Sequence, residues 1–209
     1  MKIIIATSNK NKIIEIKNKF TDIQNLEIKP VSCYQEIPEI VEDGDSFREN
    51  AMKKARTIRD VTGEISLADD SGLVVDALGG EPGIFSARYG GENLTDTDRY
   101  NLLLEKMKGI EENRRNARFI CSIVVAFPDG SEFCTDGICE GMIAFTPRGS
   151  NGFGYDPVFY IPELKCTMAE ISLEDKNRIS HRARALDSVH NMLMARLKES
   201  ITDSEVLNS

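Results

Sequence analysis

The sequence contains only two histidines, and its five cysteines include no Cys-x-x-Cys pair. These shortages exclude the usual zinc sites, which need cysteine and histidine ligands at close spacing. The cysteines (Cys33, Cys121, Cys134, Cys139 and Cys166) are odd in number. Cys33, Cys121 and Cys134 lie among apolar or aromatic neighbours, where a free thiol behaves as a small hydrophobe. A reducing, cytoplasmic location is expected. No apolar run approaches a membrane span, and Ile3-Ile4-Ile5 is too short for a signal peptide. Internal repeats, low-complexity blocks and clean linkers are also lacking. The net charge of −8 argues against broad binding to polymeric nucleic acid, although a local lysine cluster can still hold a small anion.

What is present is ordinary globular composition, 41% hydrophobic and 29% charged over 209 residues. It implies a core that needs neither metal nor disulfide for stability. One domain is expected over residues 1–198, followed by a polar, fraying tail over 199–209. The order of elements reads as mixed α/β. Lys2 to Ala6 is a short buried strand, Lys10 to Phe20 a helix, and Leu26 to Val31 a further strand. Ser46-Phe47-Arg48-Glu49 has capping-box spacing and starts a helix that runs to about Val61. A third helix covers Thr95 to Lys108, and Phe119 to Phe127 is a strand turned by Pro128-Asp129-Gly130. Gly137, Gly141 and Gly149 suggest a bent or bulged partner strand. Pro162 to Thr167 reads as loop, and Ser180 caps a last helix bearing Leu186, Val189, Leu193 and Leu197.

Four tracts carry chemistry. Ala68-Asp69-Asp70-Ser71-Gly72 lies between two apolar runs, which places adjacent carboxylates at the end of a core strand. Like charges repel there and burial is costly, so a bound cation is one reading; a solvated turn is the other. With Glu39 and Glu42 nearby, the donors are all oxygen and suit Mg2+ rather than a softer metal. Which carboxylate would ligate and which would accept a proton stays open at this level.

Thr7-Ser8-Asn9-Lys10-Asn11-Lys12 joins the first strand to the first helix. A helix start, hydroxyls and two lysines suit phosphate oxygens, or else Ser8 or Asn9 is a plain cap. No glycine is present, which excludes a Walker A loop. Gly152-Phe153-Gly154-Tyr155-Asp156-Pro157 could bring backbone and an aromatic ring against a flat base, or simply pack a turn. Lys176 and Ser180-His181-Arg182 place cations at the start of the last helix, where the dipole disfavours them, so they call for an anion or carbonyl partner.

Together these tracts resemble the family of inosine and xanthosine triphosphate pyrophosphatases. The likeness runs from Lys2 to about Leu197. It includes Thr7-x-Asn9-x-x-Lys12, Glu49-Asn50-Ala51 with Lys54-Ala55, and Ala68 to Leu73. Pro82-Gly83-x-x-Ser86-Ala87-Arg88-Tyr89, Gly152 to Pro157 and Ser180-His181-Arg182 complete it. The resemblance implies an α/β fold with a long twisted mixed sheet, flanking helices and two lobes around a nucleotide cleft. It also implies a homodimer and Mg2+-dependent hydrolysis of a purine nucleoside triphosphate to monophosphate and pyrophosphate. By matching position, Thr7, Ser8, Asn9, Lys10, Asn11 and Lys12 would hold phosphates. Asp70 would accept the proton and ligate metal, and Ser71 would touch substrate. Glu42, Lys54 and Asp69 would be further metal or phosphate contacts. Phe153, Gly154, Tyr155, Asp156, Lys176, His181 and Arg182 would form the nucleoside pocket. Two rivals remain: a pyrophosphatase of the same fold acting on modified pyrimidine nucleotides, and a nucleotide sensor without turnover.

Overall fold

A computed structural model describes residues 1–35 and 37–206. Its centre is one seven-stranded mixed sheet of order β2-β1-β3-β4-β5-β6-β7. The strands are β1 (Lys2–Ile5), β2 (Glu27–Pro30), β3 (Ile65–Val75), β4 (Asn116–Ala126), β5 (Glu132–Ile143), β6 (Phe159–Ile161) and β7 (Cys166–Thr167). β1 runs parallel to β2 and β3, and the remaining neighbours are antiparallel. The helices are α1 (Lys10–Lys19), α2 (Phe47–Thr62), α3 (Asp96–Lys106), α4 (Leu173–Ile179) and α5 (His181–Val206). The last helix therefore continues through the segment expected to fray, while 207–209 lie outside the described residues.

Strand periodicity divides the core. Ile3, Ile5, Leu67, Ile123 and Val125 point one way, into a cluster with Ile16 and Phe20 of α1 and Leu186, Val189 and Leu193 of α5. Ile4, Ala68, Val124 and Ala126 point the other way, onto Ala51, Ala55 and Ile58 of α2. A third cluster, beyond the end of β1, packs Leu103 and Met107 of α3 against Leu73, Val75, Phe119 and Phe159.

Local signals place the helices. The Ser46 side chain accepts the Glu49 N–H, but Glu49 reaches back to the Asp45 N–H rather than to Ser46. Thr95 and Asp98 form the full reciprocal box at the start of α3. Gly63, with φ of 67°, ends α2 by donating to the Arg59 carbonyl.

Three strand expectations change. Pro162 to Thr167 is not all loop, since Cys166–Thr167 forms β7 against β6. β5 pairs with β4 in unbroken register from Glu132 to Met142, with no bulge at Gly137 or Gly141. A Cβ on Gly137 would collide with the His181 carbonyl and sit 2.6 Å from the Ala185 amide. That glycine serves the close approach of α5, not a bend. The Asp-Asp tract is also not at a strand end. β3 runs straight through it, because β4 pairs with it from Ser66 to Val75.

The short length of β1 creates the site. β1 pairs with β3 only at Ile65 to Leu67, and the Ala6 N–H adds one more bond to the Leu67 carbonyl. Among the described residues, no strand pairs with β3 on that side from Ala68 onward. A crevice therefore opens beyond the carboxyl end of β1, the usual ligand position in such sheets.

Candidate active site

The crevice is a cavity of about 580 Å³. Thr7, Ser8 and Asn9 reach it from the loop after β1, Lys12 from α1, and Glu42 and Lys54 from the second crossover. Asp70 and Ser71 line it from β3, and Phe153, Gly154, Tyr155, Asp156, Lys176, His181 and Arg182 from the C-terminal half. The structure thus brings together nearly every expected residue. Lys10, Asn11, Asp69 and Glu39 are outside the lining set. Lys10 and Asn11 form the exposed first turn of α1, where Asn9 Oδ1 accepts the Asn11 and Lys12 N–H groups at 2.9 and 3.2 Å. Asn9 is therefore a helix cap as well as a lining residue.

Asp69 and Asp70 separate because neighbouring strand residues face opposite sides of the sheet. Asp70 faces α2. Its carboxylate accepts from Lys54 Nζ at 3.1 Å and Asn50 Nδ2 at 3.3 Å, and Lys54 also reaches Glu42 at 3.0 Å. Burial, opposed by Lys54 and assisted by Glu42, pushes the Asp70 carboxyl up to about 6. For Glu42 the burial cost is outweighed by Lys54, and its carboxyl stays below the usual range.

Asp69 faces α1 and α5 and has no exposed surface. Its Oδ2 meets Lys12 Nζ at 2.9 Å and Arg182 at 3.0 Å. Burial would raise this carboxyl, but Lys12 and Arg182 overcome it and hold the group well below the ordinary range. The expectation that Asp69 faces phosphate or metal is corrected accordingly: it is the counter-ion that sets Lys12 and Arg182 in place.

Charges continue to alternate from there. Arg182 donates to Glu15 Oε2 at 2.5 Å, and Glu15 Oε1 lies 3.1 Å from Lys176 Nζ. Lys176 in turn donates to Asp156 Oδ2 at 2.6 Å. This chain runs from Lys12 to the aromatic loop, with Arg182 and Lys176 each between two anions. It revises the idea that charges at the start of α5 need a ligand. Arg182 already donates four hydrogen bonds, to Asp69 twice, Glu15 and Ser71. His181 is not a cation at all, since burial and then Arg182 and Lys176 hold its pKa well below 6.5. Its ring stacks on Phe119 with centroids 4.7 Å apart, and Nδ1 is buried without a partner.

The aromatic loop is held from beneath. Asp156 Oδ2 also accepts the Phe153 N–H at 2.9 Å, and Lys176 Nζ sits 4.3 Å from the Phe153 ring centroid. The Tyr155 hydroxyl donates to the Ser86 carbonyl at 2.9 Å. Phe153 presents a ring to the cavity while Asp156, assigned to it from sequence, mainly anchors Phe153 and Lys176.

Sequence reasoning missed Glu15, Asn50, Arg88, Asp96 and Arg99. Glu15 reads as one more charge on an amphipathic helix, and no local signal marks it. Asn50 sits in a quoted tract without a role, yet it links the Gly44 N–H to Asp70. Arg88, which stands in the Pro82 to Tyr89 tract without a role, lines the cavity, as do Asp96 and Arg99, which no tract marks.

An oxygen-donor site for a hard cation fits these residues. Among the described residues no three acidic, histidine or cysteine side chains converge. Glu42 and Asp70 are close enough to perturb one another beside Lys54. Two carboxylates completed by water and phosphate oxygens is the donor set magnesium accepts.

Fold and site define an α/β protein whose crevice is lined by Lys12 and Lys54 at one part and by the Phe153 ring at another. The Ham1 family model matches residues 3–192, and the chain belongs to that family. A protein of Shouchella clausii named dITP/XTP pyrophosphatase is 46% identical over 187 residues, covering 90% of this chain and 93% of its own. A Listeria monocytogenes serotype 4b protein of the same name is 46% identical over 201 residues, covering 96% and 98%. The solved HAM1 protein of Coxiella burnetii superposes with a TM-score of 0.86 at 39% identity, covering 93% of this chain and 99% of that one.

Proposed function

We propose that this chain is a nucleoside triphosphate pyrophosphatase that hydrolyses deaminated purine nucleotides (ITP, dITP and XTP) to the monophosphate and pyrophosphate. One observation carries the reading. A single cavity joins Asp70, raised to about 6 beside Lys54 and Glu42, to a buried donor cluster around Phe153. Membership of a family whose relatives are named for dITP and XTP supports it.

In this mechanism Thr7, Ser8, Asn9, Lys12 and Lys54 hold the triphosphate. Asp70 orients a water for attack at the α-phosphorus and takes its proton on a carboxylate oxygen, and the bond to the pyrophosphate leaving group breaks. Glu42 and Asp70 would hold Mg2+, which supplies neutralisation of the phosphate charge. Most of the acceleration comes from positioning and charge balance. Phe153 stacks on the base. His181 and the remaining N–H groups of Lys176 and Arg182 offer donors to a 6-oxo group and leave the 6-amino group of adenine without an acceptor, which is costly in a buried pocket. The role in the cell is removal of such nucleotides before they enter DNA or RNA, by a cytoplasmic homodimer.

The test is incubation with Mg2+ and ITP, XTP, GTP, ATP or dTTP, with pyrophosphate and free phosphate detected separately. Pyrophosphate from ITP and XTP with little from ATP is expected. Preference for dTTP would favour the pyrimidine rival, and tight binding without product would favour a sensor.

A further inference from the structure

Arg99 lines the cavity with its hydrogen bonding left incomplete by the protein. Its side chain is 12% exposed. The buried Arg115 and Arg182 each donate four hydrogen bonds. Arg99 makes one long bond, 3.5 Å to the Glu92 carbonyl, and its Nε is buried without a partner. Its Nη1 is 3.7 Å from Asp96 Oδ1, beyond hydrogen-bond range. Asp96 shares the cavity wall and spends Oδ2 on the Gly154 N–H at 2.7 Å, which leaves Oδ1 open. A half-buried guanidinium with spare donors therefore stands beside a carboxylate oxygen with spare acceptor capacity.

That pairing matches a hydroxyl, which both donates and accepts. It does not match a phosphate, which Asp96 would repel. Position agrees, because Asp96 is tied to the aromatic loop, at the base end of the cavity, and the group linking base to phosphates is the sugar. Resting on the nucleotide reading above, we propose that Asp96 and Arg99 form the sugar subsite. Arg99 donates to the 3′-oxygen, and the 3′-hydroxyl donates to Asp96 Oδ1. The 3′ position is the one that dITP and XTP share.

The experiment compares kcat/KM for dITP and 2′,3′-dideoxyinosine triphosphate in the unmodified protein, Arg99→Met and Asp96→Asn. The unmodified protein should prefer dITP by roughly tenfold or more, the scale of a hydrogen bond to a charged group. Both variants should bring that ratio towards one, chiefly by losing activity on dITP. If Asp96→Asn releases the aromatic loop and misfolds, Arg99→Met decides alone. A ratio near one in the unmodified protein, or a ratio unchanged in Arg99→Met, overturns the subsite and leaves the pyrophosphatase reading intact. A lack of pyrophosphate from dITP in the unmodified protein overturns both.

Discussion

Asp69 and Asp70 are adjacent in β3, yet the first is sealed against Arg182 and Lys12 and the second meets Lys54 at the cavity. One peptide unit separates a structural counter-ion from a candidate base. Removing either charge should therefore fail in a different way.

Asp70→Asn keeps the shape and can still accept from Lys54, so the fold should survive. Pyrophosphate release from ITP should fall by about 10²–10⁴, the range for loss of a positioned proton acceptor. Near-normal turnover in a folded Asp70→Asn protein would falsify its assignment.

Asp69→Asn should act on stability first. It leaves Arg182 and Lys12 without their shared carboxylate in a closed interior, a loss of about 3–5 kcal/mol when buried pairs are broken. Urea unfolding measures it. A midpoint equal to that of the unmodified protein would show that Asp69 is not the counter-ion described.

Glu15→Gln removes the anion between Arg182 and Lys176 without touching the cavity surface. The expected result is roughly a tenfold or greater rise in KM for ITP with a smaller change in kcat, and a weaker preference over ATP. Steady-state kinetics with both nucleotides separates this from simple loss of folded protein, which lowers apparent kcat alone.

His181 gives a pH dependence of definite sign. Its folded pKa lies well below 6.5, so between those values the unfolded chain binds the extra proton. Stability from this residue is complete above about pH 7 and is lost as pH falls below 6.5, with a slope of at most about 1.4 kcal/mol per pH unit. Unfolding free energies of His181→Gln should fall less steeply than those of the unmodified protein between pH 7 and 5. Parallel curves would refute a buried neutral imidazole.

Gly137→Ala tests the approach of α5 to the sheet. The added methyl meets the backbone of His181 and Ala185, so a loss of at least about 1–3 kcal/mol is expected. Calorimetry of the purified variant reads it directly, and an unchanged melting temperature would restore the bend as the reason for the glycine.

Much was legible without coordinates. The apolar spacing of α1, α2 and α3, the caps at Ser46 and Ser180, and the turn after β4 follow from local rules that act within a few residues. The tracts around Thr7, Asp70, Phe153 and Arg182 were identifiable, and the chain folds so that all four reach one crevice. Their internal division of labour was not legible. Strand alternation separates Asp69 from Asp70 only once Asp-Asp is known to lie mid-strand, and that depends on β4 pairing along its whole length. Glu15 binds Arg182 across 167 positions, and Asp96 meets Gly154 across 58. Residue types and short spacings thus determined which chemistry the chain carries. Tertiary packing alone decided which charges neutralise one another in the interior and which face the cavity, because an ion pair depends on distance in space.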